Sequence, residues 1–121
     1  MRGALRRAWP FGSVVLFLIV LSQLVWAHAI LMDSTPKANS TVKGPEVAIH
    51  LRFNVRVDGS RSRLHLVSPG GASVALVSTQ PKPDTLESHA AGLKPGAYKL
   101  QWQVLASDGH ISRGEVPFAV E

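Results

Sequence analysis

The sequence predicts an all-β domain, a Greek-key β-sandwich or barrel of the immunoglobulin-like type, and three observations support this. In several short segments apolar side chains occupy every second position, which is the period of a half-buried strand. Glycine and proline lie mostly between these segments, where they mark turns. No window shows the longer period of an amphipathic helix. Short strands joined by regular turns are typical of a sandwich.

The first predicted strand spans residues 47–53, where apolar side chains recur at alternate positions. A second strand is centred on His65, which lies between two leucines. Residues 68–71 (Ser-Pro-Gly-Gly) are a turn signal, so residues 73–78 are predicted to return as the second strand of a hairpin. Residues 80–84 contain two prolines and are predicted to form a loop.

The strongest strand pattern lies over residues 98–104, and the last predicted strand covers residues 116–120. Residues 93–98 (Leu-Lys-Pro-Gly-Ala-Tyr) resemble the corner before a late strand of immunoglobulin-like folds. In that corner a tyrosine hydroxyl bonds back to nearby backbone. We therefore expect Tyr98 and Trp102 to pack in the core.

The first 27 residues are predicted to be a signal peptide. They contain three arginines and no acidic residue, followed by an apolar stretch at residues 14–21. That stretch is shorter than the roughly 20 residues of a membrane-spanning helix. Residues 25–27 (Val-Trp-Ala) suit a signal peptidase. We expect cleavage after Ala27 and a mature, periplasmic domain of residues 28–121, with an uncleaved membrane anchor as the alternative.

Composition excludes several classes of function. The sequence has no cysteine, which excludes disulfides, thiolate metal sites and a cysteine nucleophile. Much of the net charge of +5 comes from the N-terminal arginines, and no basic run follows them. Nucleic acid is therefore not an expected partner. Length and the absence of a glycine-rich phosphate loop exclude Rossmann-type and kinase-type enzymes.

Five histidines are candidates for metal chemistry, and they are not equivalent. His50 and His65 lie on the polar side of apolar alternations and His89 lies near a strand end, so these three are expected to be ordinary surface residues. His28 differs because cleavage would make it the N-terminal residue. Its α-amine and imidazole Nδ1 can then close a chelate ring on one metal ion, since the amine loses its proton at modest cost.

Asp108-Gly109-His110 is the second candidate element, although Asp-Gly is also a common turn sequence. Residues at i and i+2 of an extended segment share a face, so Asp108 and His110 can offer one oxygen and one nitrogen. With His28 the set becomes three nitrogens and a carboxylate, which suits Cu(II). Zn(II) accepts the same donors in a tetrahedron. The set requires that residue 28 and the turn meet at one end of the sandwich.

At these residues the sequence resembles the CopC family of periplasmic copper-binding proteins, over nearly all of residues 28–121. The resemblance implies a carrier or buffer that binds one Cu(II) ion per mature chain without catalysis. By motif matching, His28, Asp108 and His110 carry over as copper ligands. The matching segments are His28-Ala29, Ser34-Thr35-Pro36, residues 49–54, residues 93–98, and Ser107-Asp108-Gly109-His110 followed by Gly114.

The sequence departs from some members of that family. Some members hold Cu(I) through a methionine-rich loop, whereas this chain has only Met32 besides Met1, so no such site is expected. Some place an acidic residue near the position of Asn54, and here the nearest carboxylate along the following segment is Asp58. Members are commonly associated with a copper-transporting membrane protein. The resemblance thus implies an inner-membrane partner of the CopD type.

Two other functions stay open at this point. A lytic polysaccharide monooxygenase also binds copper through an N-terminal histidine. Against that function, the mature chain leaves little area for a polysaccharide-binding face, and Asp108 would fill a position that oxygen activation needs open. The other alternative is an immunoglobulin-like interaction module without a metal, because a sandwich alone does not specify function.

Overall fold

The structure, a computed structural model, describes residues 28–121, and the predicted signal peptide lies outside the described residues. The described part of the chain contains nine strands in two sheets. Within it, no helix has the length and apolar character needed to cross a membrane. The strands are β1 (Leu31–Thr35), β2 (Ser40–Val42), β3 (Val47–Phe53), β4 (Val57–Val67), β5 (Ser73–Leu76), β6 (Thr79–Lys82), β7 (Thr85–Ala90), β8 (Gly96–Ala106) and β9 (Ile111–Val120).

The two sheets are built from strands that are distant in sequence. One sheet has four strands in the order β1-β3-β7-β6, and the other has five in the order β2-β9-β8-β4-β5. Neighbouring strands are antiparallel, apart from β2 and β9, which are parallel. The predicted all-β sandwich is confirmed.

The core lies between the sheets and consists of the alternating apolar positions. The four large apolar residues of β3 are buried at alternate positions, at Val47, Ile49, Leu51 and Phe53. Phe53 and Trp102 meet edge to face with ring centroids 5.1 Å apart, and Tyr98 stacks on Phe118 at 5.8 Å. The Tyr98 hydroxyl donates a hydrogen bond to the backbone oxygen of Lys94 at 2.7 Å. The predicted tyrosine corner and the packing roles of Tyr98 and Trp102 are therefore confirmed.

The strong alternations predicted strands correctly. The four segments with the clearest period lie within β3, β4, β8 and β9. The predicted hairpin is also confirmed, because β5 pairs antiparallel with β4. Its second strand ends at Leu76 rather than at Ser78.

The predicted loop at residues 80–84 is wrong for residues 80–82, whereas Pro83 and Asp84 form the turn between β6 and β7. Thr79–Lys82 forms β6, which pairs with β7 at the edge of the four-stranded sheet. All four residues of β6 are exposed, so no apolar alternation reveals the strand. Pro81 suggests a loop, yet a proline is compatible with an edge strand because its missing N–H faces away from the ladder. Strands β1, β2 and β7 likewise carry too weak an alternation to be recognised.

Candidate metal centre

The connection between β8 and β9, residues 107–110, is a tight turn closed by backbone hydrogen bonds. The Ala106 N–H donates to the His110 oxygen at 2.8 Å, and the Gly109 N–H donates to the Ala106 oxygen at 2.9 Å. Gly109 has a φ of 92°, a left-handed conformation that glycine adopts without steric cost. The turn presents Asp108 and His110 at one end of the five-stranded sheet.

Asp108 and His110 contact each other. Asp108 Oδ1 accepts a hydrogen bond from the His110 backbone N–H at 3.1 Å and lies 3.3 Å from His110 Nδ1. The side chains of Asp108 and His110 are 46% and 58% exposed. The backbone N–H of His110 is the main cause that lowers the pKa of the Asp108 carboxyl. The turn thus places a carboxylate and an imidazole side by side, both accessible to solvent.

His28 is exposed, and the two residues that follow it are held in place. Ala29 is buried, and its N–H donates to Ser112 Oγ at 2.9 Å. The Ile30 N–H donates to Asn54 Oδ1 at 2.7 Å, and the Ile30 oxygen accepts from the Asn54 N–H at 3.0 Å. Because Ser112 lies near the start of β9, the N-terminal segment runs beside the turn.

The predicted ligands are not gathered into a single cluster of side chains. Within residues 28–121, no three histidine, aspartate or glutamate side chains lie close enough together to hold a metal ion. Asp108 and His110 are paired, whereas His28 is connected to this region only through its neighbour Ala29, which bonds to Ser112. The imidazole and carboxylate donors present are of the kind that Cu(II) and Zn(II) accept. The ligand set stays a prediction.

The other histidines lie on the sheets, away from this turn. His50 and His65 are half-buried on the outward sides of β3 and β4, where the strand period predicts them. His89 is exposed, with Nε2 3.8 Å from Glu46 Oε2.

Asp58, the carboxylate nearest in sequence to the Asn54 position, accepts a hydrogen bond from the Ser60 hydroxyl at 2.7 Å.

Sequence reasoning missed the two side chains that hold the N-terminal segment. Ser112 bonds to a residue 83 positions away, and no spacing rule connects such distant positions. Asn54 stands out in the sequence only because it lacks a carboxylate. One signal was available for Ser112: it is a polar residue at an inward-facing position of an alternating strand. A buried hydroxyl at such a position requires a hydrogen-bond partner.

Comparison with known proteins identifies relatives over the whole described domain. The model of the CopC domain matches residues 31–121. The chain is 29% identical over 119 residues to Protein YobA of Escherichia coli (strain K12). This match covers 95% of this chain and 96% of that protein. It is 31% identical over 111 residues to Copper resistance protein C of Pseudomonas syringae pv. tomato, with coverages of 85% and 88%.

Among solved structures, the chain is similar to the crystal structure of CopC from Methylosinus trichosporium OB3b. The TM-score is 0.71 at 31% identity, and the match covers 78% of this chain and 94% of that one. The family resemblance inferred from the sequence motifs is thus confirmed by the domain model, by a relative in sequence and by a relative in structure. The chain belongs to the CopC family.

Proposed function

We propose that the mature chain is a periplasmic carrier or buffer that binds one Cu(II) ion and catalyses no reaction. Membership of the CopC family supports a function related to copper, because relatives carry the name copper resistance protein. The observation that carries the finer proposal is the hydrogen bond from the Ala29 N–H to Ser112 Oγ at 2.9 Å. It holds the residue after His28 against the strand that begins directly after His110.

In this proposal, a signal peptidase removes residues 1–27, and His28 then supplies its α-amine and its imidazole Nδ1. His110 supplies one imidazole nitrogen. Its Nδ1 lies 3.3 Å from Asp108 Oδ1, so the ring must turn away from the carboxylate for both side chains to bind the same ion. Asp108 supplies a weaker oxygen. Three nitrogens and one weak oxygen suit the tetragonal preference of Cu(II). The α-amine must be free and neutral to bind, so binding depends on both processing and pH.

The exposure of the pair supports a carrier rather than an enzyme. About half of each side chain of Asp108 and His110 reaches solvent, so a bound ion can pass to a partner without unfolding of the domain. The proposed partner is an inner-membrane copper transporter of the CopD type. An ionised Asp108 would also occupy a coordination position that oxygen activation at copper needs open.

A titration of two matched chains with Cu(II) tests this proposal. One chain begins with His28, and the other retains Ala27, so the two differ by a single residue that turns the α-amine into an amide. Outer-shell changes alone weaken metal binding by about 10–100-fold, so the loss of a direct ligand should cost at least that much. A competing chelator of known affinity measures both constants, and a parallel titration with Zn(II) measures selectivity.

The proposal predicts different copper affinities for the two chains. We expect one Cu(II) ion per chain that begins with His28 and far weaker binding when Ala27 is retained. Equal affinities would contradict the role of the α-amine, and a lack of Cu(II) binding by both chains would contradict the function itself. Mass spectrometry of the exported protein identifies the first residue and thus tests the cleavage.

A further inference from the structure

We propose that Ser112 is a positioning residue for copper binding, which holds Ala29 so that the amine of His28 is already near the turn before copper arrives. This inference rests on the function proposed above. Ser112 is 8% exposed, and its Oγ accepts the Ala29 N–H at 2.9 Å. Because the two residues are 83 positions apart, this bond fixes the N-terminal segment against β9, which a contact within the segment would not do.

The place of Ser112 on β9 relates it to His110. Ser112 lies opposite Val104 in the β8–β9 ladder, and the hydrogen bond from Ala106 to His110 continues that ladder to the turn. His110 directly precedes β9, two positions before Ser112, so the segment bound to Ser112 is held at the end of the strand where His110 lies.

Fixing Ala29 limits the freedom of His28. Only one rotatable backbone bond, Cα–C of His28, lies between the α-amine of His28 and the Ala29 nitrogen, because the peptide bond is planar. Once the Ala29 nitrogen is fixed, the α-amine can therefore occupy few positions. Ala29 also buries its methyl group in the core. Once the Ser112 bond is lost, more of the segment must be ordered when copper binds, and that ordering costs conformational entropy.

Asn54 holds the same segment one residue further along. Its side-chain oxygen accepts the Ile30 N–H at 2.7 Å, and its own N–H donates to the Ile30 oxygen at 3.0 Å. Ser112 and Asn54 therefore hold the N-terminal segment from two different sheets, since one lies on β9 and the other directly follows β3. Ser112 is the closer of the two to the chelating residue.

The test compares variants of the mature chain that begins with His28. Ser112→Ala removes the acceptor, Ser112→Thr keeps it, and Ser62→Ala is the matched control. Ser62 is a buried serine. Its hydroxyl donates to the Asp58 oxygen at 2.6 Å and accepts the Leu105 N–H at 3.4 Å, so its bonds go to β4 and β8 and not to the N-terminal segment. We expect Ser112→Ala to weaken Cu(II) binding by about 10–100-fold, with Ser112→Thr and Ser62→Ala close to the wild type.

Two spectroscopic readouts separate positioning from general loss of stability. Hydrogen exchange of the Ala29 amide in the metal-free chain should accelerate in Ser112→Ala and stay protected in Ser62→Ala. The Cu(II) electron paramagnetic resonance spectrum of Ser112→Ala should contain a second component, because the amine no longer binds in one geometry. A threonine that restores both signals would show that the hydroxyl, and not the side-chain volume, is responsible.

Each outcome decides between the inference and the function it rests on. Tight copper binding by the wild type with unchanged affinity in Ser112→Ala would overturn the inference and leave the function standing. An equal loss in Ser62→Ala would also overturn it, and a wild type that does not bind copper would overturn both. Should Ser112→Ala fail to fold, Ser112→Gly replaces it, because it also removes the hydroxyl that accepts the Ala29 N–H: weaker binding supports the inference, and unchanged binding contradicts it.

Discussion

The indole ring of Trp102 occupies the space that a side chain at residue 114 would need. Trp102 and Gly114 lie opposite each other in the β8–β9 ladder, and a Cβ atom built on Gly114 would overlap the Cζ2 atom of the ring. The same ring packs edge-on against Phe53 of the other sheet, so it is confined on two sides. Glycine at residue 114 is therefore a packing requirement of the core.

Gly114→Ala should destabilise the domain by about 1–3 kcal/mol, because overpacking forces the ring or the backbone to move. Denaturant unfolding of the mature chain, followed by circular dichroism, measures this change in the free energy of unfolding. Gly70→Ala is the control, since a Cβ at Gly70 meets nothing within 4 Å and should change stability by less than about 0.5 kcal/mol. Equal stabilities of the two variants would contradict the packing argument.

Gly114 also illustrates how far the sequence could be interpreted. The sequence shows Gly114 after the Asp108-Gly109-His110 motif, as the family resemblance implies. The reason for a glycine there is the ring of Trp102 on the neighbouring strand. That contact can be recognised only once the register of the sheet is known. Long strands such as β3 and β8 were predictable because burial on one face imposes a period of two on the sequence. The exposed edge strand β6 carries no such period.

The candidate site divides in the same way. The contact between Asp108 and His110 was predictable because it lies within three residues of one turn. The contact between Ala29 and Ser112 was not, because it joins the two ends of the domain and depends on how the sheets pack. Local chemistry can thus be recognised in a sequence, whereas the residues that hold a distant ligand in place appear only in the fold.

Replacement of the proposed ligands should weaken copper binding far more than replacement of another histidine. We expect His28→Ala and His110→Ala each to reduce Cu(II) affinity by more than the roughly 10–100-fold typical of outer-shell changes. His50→Ala is the matched control, because His50 is half-buried on the outward side of β3. Isothermal titration of the mature chains measures the affinities. A similar loss in His50→Ala would show that the copper lies elsewhere.

Copper affinity should fall progressively below about pH 6, because protons compete with the metal for imidazole and amine nitrogens. The pKa of Asp108 is lowered, mainly by the His110 backbone N–H, which favours the ionised form of this carboxylate. The loss of affinity should therefore come from the nitrogens. Competition titrations from pH 7.5 to pH 4 check this, and an affinity that stays flat over that range would indicate carboxylate ligands alone.

Asp108→Asn separates the contribution of the carboxylate from that of the nitrogens. The variant should bind copper more weakly at neutral pH, yet its affinity should still decline as the pH is lowered. The physical reason is that the amide keeps an oxygen but carries no charge, while the nitrogens that titrate are unchanged. An affinity that no longer falls with pH in the variant would mean that the carboxylate itself is the group that takes up the proton.

Tyr98→Phe should lower stability without changing copper binding. The substitution removes the hydroxyl that donates to the Lys94 oxygen at 2.7 Å but keeps the ring that stacks on Phe118. The loss of one intramolecular hydrogen bond costs about 0.5–1.5 kcal/mol. Tyr98 lies near the start of β8, and the 107–110 turn follows the end of that strand, so the candidate metal centre stays intact. Thermal unfolding and a Cu(II) titration of the same preparation check both parts. A weaker copper affinity in Tyr98→Phe would mean that this corner and the metal centre are coupled along the length of the strand.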